Sequence, residues 1–309
     1  MCIRDRGTSL RVKTMTDADE KVYGVFDVGS NSVRCLVLKG ERTLYRRLVT
    51  TRLGEGLATS GKISDEAKER TIKGAYSLLG EALSFSPDKI FAFATEAVRS
   101  AENGGEFKEA FKDALGIPLD VISGDKEGEI GLLGALGGKD GGIIDIGGAS
   151  AEITACENRK IIYSHSLPLG AVRLKDLCGE DEGKLKEVID GRIDEYGKIP
   201  VTTYYAIGGT ATSLAAVCLG LKKYDCDKVN GSEFTYETVC KAYETIKNSS
   251  IKERVEKLNI TPKRAEIIVG GVYLLKRIAE RIPLKRIIVS ENDNMLGYVM
   301  KNVYGKSLD

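Results

Sequence analysis

Apolar positions along this chain alternate between two rhythms. Runs of period two fall near Val22 to Asp27, Val33 to Leu38 and Thr43 to Thr50, with Gly40 closing a turn, and predict an antiparallel meander. A helix is expected from a Ser64 N-cap to about Leu83, because Ile72, Ala75, Leu78, Leu79 and Leu83 fall near helical spacing. Ile90 to Ala94 reads as a strand, Phe107 to Leu115 as a helix, and Leu119 to Ile122, opened by Pro118, as another strand. Ser123 then leads into a helix ending near Leu136, and the glycines between Gly137 and Gly142 mark a hinge. A second meander starts at Ile143, followed by a helical stretch from Lys184 to Tyr196. Tyr204 to Ile207 is a strand that turns through Gly208-Gly209-Thr210 into a helix from Ala211 to Leu219. Helices are predicted over Thr235 to Asn248 and Ile251 to Leu258, then one long helix from Thr261-Pro262 to about Arg281. A last strand, Arg286 to Val289, precedes a final helix. The alternation predicts an α/β fold with a mixed sheet in each half.

The two meanders repeat one pattern. Phe26-Asp27-Val28-Gly29-Ser30-Asn31-Ser32 returns 118 positions later (145 minus 27) as Ile144-Asp145-Ile146-Gly147-Gly148-Ala149-Ser150. Counting from each aspartate, a serine falls at +5 (Ser32; Ser150), a polar turn at +12 to +15 and a tyrosine at +18 (Tyr45; Tyr163). Two related halves facing one another are therefore expected, with the loops at the site. Glycine tolerates positive φ and lets backbone amides approach an anion, while the aspartate holds a cation or water. A lone loop of this kind is an ordinary turn; two in matching frames can grip a phosphate chain and its metal. Gly208-Gly209-Thr210, opening a helix, is either a further anion or nucleotide seat or close strand–helix packing. At +7 the copies differ, with Arg34 in the first and Glu152 in the second. One half thus offers a guanidinium and the other a carboxylate, which suits one gripping half and one catalytic half.

Charge adds a constraint. Lys plus Arg number 46 and Asp plus Glu 45, so no global field recruits nucleic acid or a membrane, and an anionic substrate must meet local positive charge. Candidates are Arg46, Arg47, Arg52, Lys222, Lys223, Lys263, Arg264, Lys276, Arg277, Lys285 and Arg286, most of them expected on solvated faces. Seven cysteines without a C-x-x-C pair read as reduced thiols of a cytoplasmic protein. The single histidine, His165, is expected to be structural, which leaves the chemistry to carboxylates and backbone. No apolar run approaches the length of a membrane span, and residues 1–20, polar and aperiodic, read as a disordered or non-native tail. Glu127, in the first turn of the helix before the hinge, is placed to look into the cleft as a general base for hydrolysis.

Five ordered motifs carry a resemblance. They are the Asp27 loop, Thr95-Glu96-Ala97-Val98-Arg99, Ile122-Ser123-Gly124 with Glu127, the Asp145 loop through Ala151-Glu152, and Ser166-Leu167-Pro168-Leu169-Gly170-Ala171-Val172-Arg173. In this order they resemble the exopolyphosphatase and guanosine pentaphosphate phosphohydrolase family, inside the actin, sugar kinase and Hsp70 ATPase superfamily. The resemblance implies two ribonuclease-H-like domains around an interdomain cleft, 21–136 and 137–293, the first completed by the C-terminal helix 294–309. It implies a first phosphate loop of Gly29, Ser30, Asn31 and Ser32 and a second of Gly147, Gly148, Ala149 and Ser150. Asp27 and Asp145 would hold Mg²⁺ or another divalent cation, Arg99 would grip phosphate, Glu127 would activate water and Glu152 would assist. The implied substrate is inorganic polyphosphate, with guanosine pentaphosphate and non-catalytic binding of polyphosphate or nucleotide as alternatives. A sugar kinase reading lacks a sugar-pocket aspartate that can be placed. The chain departs from the family at Ala149 and Ala151, at Lys126 and Glu129, and at Met295 and Leu296. Longer relatives append helical domains, so this core is expected to hold a long polyphosphate less firmly. A homodimer is the default assembly.

Overall fold

The computed structural model describes residues 20–40, 42–200, 202–282, 284 and 286–308. The expected tail therefore lies, except for Glu20, outside the described residues, as does Lys285. One sheet contains β1 (Val22–Val28), β2 (Ser32–Lys39), β3 (Arg42–Thr50), β4 (Lys89–Ala94) and β5 (Leu119–Val121), in the order β3-β2-β1-β4-β5. The other contains β6 (Gly141–Ile146), β7 (Ala151–Glu157), β8 (Lys160–Leu167), β9 (Tyr204–Ile207), β10 (Glu233–Thr235) and β11 (Arg286–Val289), in the order β10-β11-β9-β6-β7-β8. Each begins with three antiparallel strands and continues with parallel ones, β10 lying antiparallel to β11 at the edge of the second, so both are mixed.

The repeat extends to register. Asp27 pairs with Arg34 and Asp145 with Glu152, and the bulge between Val37 and Leu38 has its counterpart between Ala155 and Cys156. Both sheets are covered on two faces, which is why β1 and β6 are buried almost throughout. Alternation sorts the first sheet's side chains. Phe26, Val28, Val33 and Cys35 pack under the helices Asp65–Leu83 and Gly104–Leu115, whereas Tyr23, Val25, Leu36 and Phe93 meet Met295, Tyr298 and Val299 of the C-terminal helix. The helix Gly124–Leu136 lays Leu132, Leu133 and Leu136 on Ile143 and Ile207 of the second sheet.

These last two helices cross at glycines. A Cβ at Gly297 would lie 1.7 Å from the Ile130 carbonyl oxygen, and one at Gly134 2.1 Å from that of Asp293. Only bare backbone permits the approach that brings Asn294 toward Asp145. Gly137 ends the first helix at φ 60° and Gly138 follows at φ 87°, conformations glycine adopts without strain.

Three expectations are revised. The long helix from Pro262 is two, Pro262–Ala265 and Ile268–Arg281, because the buried Arg254 guanidinium donates to the Ala265 carbonyl that an unbroken helix would use. Ala171–Cys178, left without an element in the sequence reading, is helical, and Glu233–Thr235, read as loop and helix start, is a strand beside β11. Ser64 caps its helix as expected, accepting from the Ala67 amide at 3.2 Å. No helix among the described residues is long and apolar enough to cross a membrane.

Candidate active site

Both meanders turn toward one another at the ends of β1 and β6. Each first turn closes with the same bond, Gly29 N–H to Ser32 O at 3.1 Å and Gly147 N–H to Ser150 O at 3.0 Å. Gly148 backs onto the opposite loop so closely that a Cβ there would sit 2.6 Å from Ser30 Cβ. Neither Gly29, Gly147 nor Gly148 has positive φ, so these glycines serve close approach rather than unusual backbone, and Ala149 sits in the second loop without strain. The loop carbonyls are occupied from behind. Thr51 and Gly54 donate to Asn31 and Ser30, and Ala171 and Val172 donate to Gly147 and Gly148. The amides of Ser30, Asn31, Gly148 and Ala149 make no backbone hydrogen bond among the described residues, which leaves them free for an anion.

The loops border a cavity of about 590 Å³. Asp27, Gly29 to Ser32, Glu127, Asp145 and Gly147 to Ser150 line it, as their motifs predict. Glu152 lies beside that floor, where Ser166 Oγ donates to its Oε1 at 2.7 Å. Arg99 stands apart from the lining: it donates to Glu96 and to the Ile122 carbonyl, and approaches Glu127 Oε2 at 3.6 Å. Of the positive candidates, Arg46, Arg47 and Arg264 reach the cavity, whereas Arg52 pairs with Glu266 and Arg277 with Asp190. His165 stacks edge-on against Tyr196, the structural place expected for it.

Glu127, Asp145 and Glu152 form a cluster whose carboxylate oxygens lie within 4.8 Å of one another. All three are at least nine-tenths buried, and Glu127 Oε2 has no hydrogen-bond partner among the described residues. Burial pushes Asp145 up to about 6 despite Arg34, and burial with the charge of Asp145 pushes Glu152 up to about 7. Glu127 is raised well above the carboxylate range by burial and then by Glu152 and Asp145. A buried, hard, acceptor-only oxygen set under this mutual repulsion fits a divalent cation. Asp27, expected as a metal ligand, is outside this cluster, because its carboxylate accepts from Arg34.

Arg34, Asp293 and Asn294 line the cavity without having been named as site residues, and Arg264 and Gly208, named as a positive candidate and in a possible anion seat, join them there. Arg34 bridges Asp27 and Asp293; burial opposes its charge, but these aspartates and Asp145 hold its pKa above the ordinary value. Asn294 donates to Asp145 Oδ2 at 3.2 Å. Arg264 lies against Gly209, where a Cβ would meet its Nη2 at 2.2 Å; burial and Arg34 lower its pKa to about 10. Gly208, at φ 80°, would clash with Asp145 Oδ1 at 2.6 Å if it carried a Cβ. Arg34 had a signal in its +7 offset, whereas Asp293 and Asn294 had none nearby, since their partners come from other strands.

Known proteins share this arrangement. The Ppx/GppA phosphatase family is matched over residues 37–294. The bifunctional 3-dehydroquinate synthase/phosphatase of Fusobacterium nucleatum is 29% identical, over 91% of this chain and 46% of that protein. Exopolyphosphatase 2 of Mycobacterium tuberculosis is 29% identical, over 89% of this chain and 96% of its own length. The chain thus spans about half of the first relative and nearly all of the second. The crystal structure of an exopolyphosphatase-like protein superposes with a TM-score of 0.85 at 25% identity, covering 92% of this chain and 98% of that one.

Proposed function

This chain belongs to the Ppx/GppA phosphatase family, and on that premise we propose that it is an exopolyphosphatase, releasing terminal orthophosphate from inorganic polyphosphate. The observation that carries the reading is the buried Glu127, Asp145 and Glu152 cluster beside two loops of unpaired amides. Two ribonuclease-H-like domains, 21–136 and 137–293, would flank the cleft, with the C-terminal helix packed back on the first sheet. The terminal phosphoryl group lies across the amides of Ser30, Asn31, Gly148 and Ala149, with Ser32 and Ser150 closing the turns behind them. Asp145 and Glu152 are the residues that would hold Mg²⁺, and Glu127 faces the same space. When bound, the cation neutralises phosphoryl charge and returns these carboxylates to their ionised form. Glu127 then accepts the proton of a water whose oxygen attacks the terminal phosphorus, while the anhydride bond breaks and the shortened chain leaves. Arg99, held by Glu96 and the Ile122 carbonyl, lies 3.6 Å from Glu127 Oε2 and orients that base from behind.

A second reading has its own support. Leu48, Ala216, Tyr224, Leu258 and Ile260 also line the cavity and supply apolar surface suited to a nucleobase. Guanosine pentaphosphate would place its base there and its 5′-phosphates at the loops.

Orthophosphate release with Mg²⁺ from short and long polyphosphate and from guanosine pentaphosphate, with Glu127→Gln as control, tests both. Polyphosphate release that falls by about 10²–10⁴-fold in the variant supports the exopolyphosphatase and its base. Preference for the nucleotide favours the second reading. Phosphate-chain binding without turnover in the unaltered protein would make it a binding protein and sink both.

A further inference from the structure

Arg34 lines the cavity beside Asp27 at the first phosphate loop, yet it is already occupied. Its Nη2 donates to Asp27, its neighbour across the β1–β2 hairpin, and its Nη1 donates to Asp293, which follows β11 on the other sheet. A guanidinium grips a phosphate best through two parallel N–H groups, and here each terminal nitrogen is committed to a different carboxylate. Asp293 is 5% exposed and held rigidly, because its Oδ1 also accepts from the Met295 amide at 3.1 Å as the N-cap of the C-terminal helix. It therefore stands against Arg34 without any ordering cost on substrate arrival.

Resting on the reading of this cleft as a phosphate-chain site, we propose that Asp293 is a positioning residue that competes with the phosphate chain for Arg34 and thereby limits how tightly the cleft holds a polyanion. Asp27 alone would leave the Nη1 side of Arg34 open to the cavity, which Arg34 lines. Asp293 closes that side and adds negative charge to a floor that already contains Asp27 and Asp145. An incoming phosphate oxygen that approaches Arg34 from the Nη1 side competes with the Asp293 carboxylate for the guanidinium. The opposite role is a latch, since the same ion pair ties the first sheet to the loop after β11. The two roles predict opposite signs for the change in KM.

Asp293→Asn separates them, because asparagine keeps the N-cap while removing the charge. Asp293→Ser also keeps a capping oxygen but cannot reach Arg34, and serves if the first variant folds poorly. With Mg²⁺ and inorganic tripolyphosphate, KM is expected to fall about tenfold, roughly the worth of one charge-assisted bond, while kcat changes by less than about twofold. Adding Arg34→Ala to the Asp293→Asn protein should erase the gain, which a structural effect of position 293 would not require. An unchanged or raised KM in cap-retaining variants of normal Tm overturns the inference while the functional reading stands. Absence of tripolyphosphate hydrolysis in the unaltered protein and in both variants overturns the two together.

Discussion

Replacing Glu152 by glutamine should stabilise the metal-free protein at neutral pH and destabilise the metal-loaded one. Glu152 has its folded-state pKa raised from the ordinary 4.5 to about 7, chiefly by burial and then by Asp145. At roughly 1.4 kcal/mol per pKa unit, its ionisation in the folded state costs about 3 kcal/mol. A raised folded pKa means that this stability is fully present below the unfolded value, near 4.5, and is lost as pH rises through about 7. Without metal, the unaltered protein and Glu152→Gln should therefore melt together near about pH 4.5. By about pH 8 the variant should be the more stable, by about 6 °C at roughly 2 °C per kcal/mol for a large chain. Ser166, which donates to Glu152 Oε1, can equally donate to the glutamine carbonyl, so the substitution leaves no orphaned hydroxyl. Saturating Mg²⁺ should invert the order, because ligand that binds only the folded state stabilises it and the variant offers one carboxylate fewer. Differential scanning fluorimetry across pH, in chelator and in Mg²⁺, gives both comparisons. Superimposable melting curves in chelator at about pH 8 would refute the claim that repulsion and burial strain this cluster.

Four other outcomes follow from particular contacts. Gly297→Ala forces a Cβ to within 1.7 Å of the Ile130 carbonyl, so a loss on the order of 3 kcal/mol is expected in denaturant unfolding. Arg254→Met takes the side-chain donor from the buried Ala265 carbonyl and leaves the part-exposed Glu180 unpaired, and should cost about 1–3 kcal/mol in the same measurement. Arg99→Lys cannot keep both the Glu96 and Ile122 bonds, and kcat/KM for tripolyphosphate should drop by about tenfold or more. Gly137→Ala and Gly138→Ala strain backbone at φ 60° and 87° between the two sheets, and should lower kcat while leaving Mg²⁺ affinity unchanged; normal turnover would remove the case for closure about this segment.

What was legible in the chain is what local spacing encodes. The meanders were read because a two-residue period, a polar turn and a repeated D-x-G motif act within one hairpin; the repeat also picked out position +7, which the structure pairs with the aspartate. The helix Ala171–Cys178 was missed because Pro168 and Gly170 look like loop. Its buried Ala171, Val172, Leu174 and Cys178 carry helical spacing that a longer window would have caught. Glu233–Thr235 is too short to show any period. The break after Ala265 was not legible, since it depends on an arginine eleven residues earlier that is buried only after the surrounding helices pack. Asp293 is the extreme case: its partner Arg34 lies 259 residues away, and only the crossing of the sheets brings them together.

That distance explains why the two halves, built on one hairpin, differ chemically. In the first, the residue opposite the aspartate is a guanidinium, so Asp27 has a permanent cation beside it. In the second, the residue opposite is Glu152, and burial raises both carboxylates, Asp145 to about 6 despite Arg34 and Glu152 to about 7 with the charge of Asp145 adding to the rise. A single change at +7 thus gives Asp27 a guanidinium that partly offsets its burial and gives Asp145 a second carboxylate instead. The helix that carries Glu127 comes from the first half but packs on the second sheet, so that a Glu127 oxygen without a hydrogen-bond partner faces the same gap. Chemistry that needs an exchangeable cation and a poised base belongs on that side. On the proposed phosphate-chain reading, the side with its own guanidinium would bind the chain without a cation, to the extent that Asp293 lets Arg34 go.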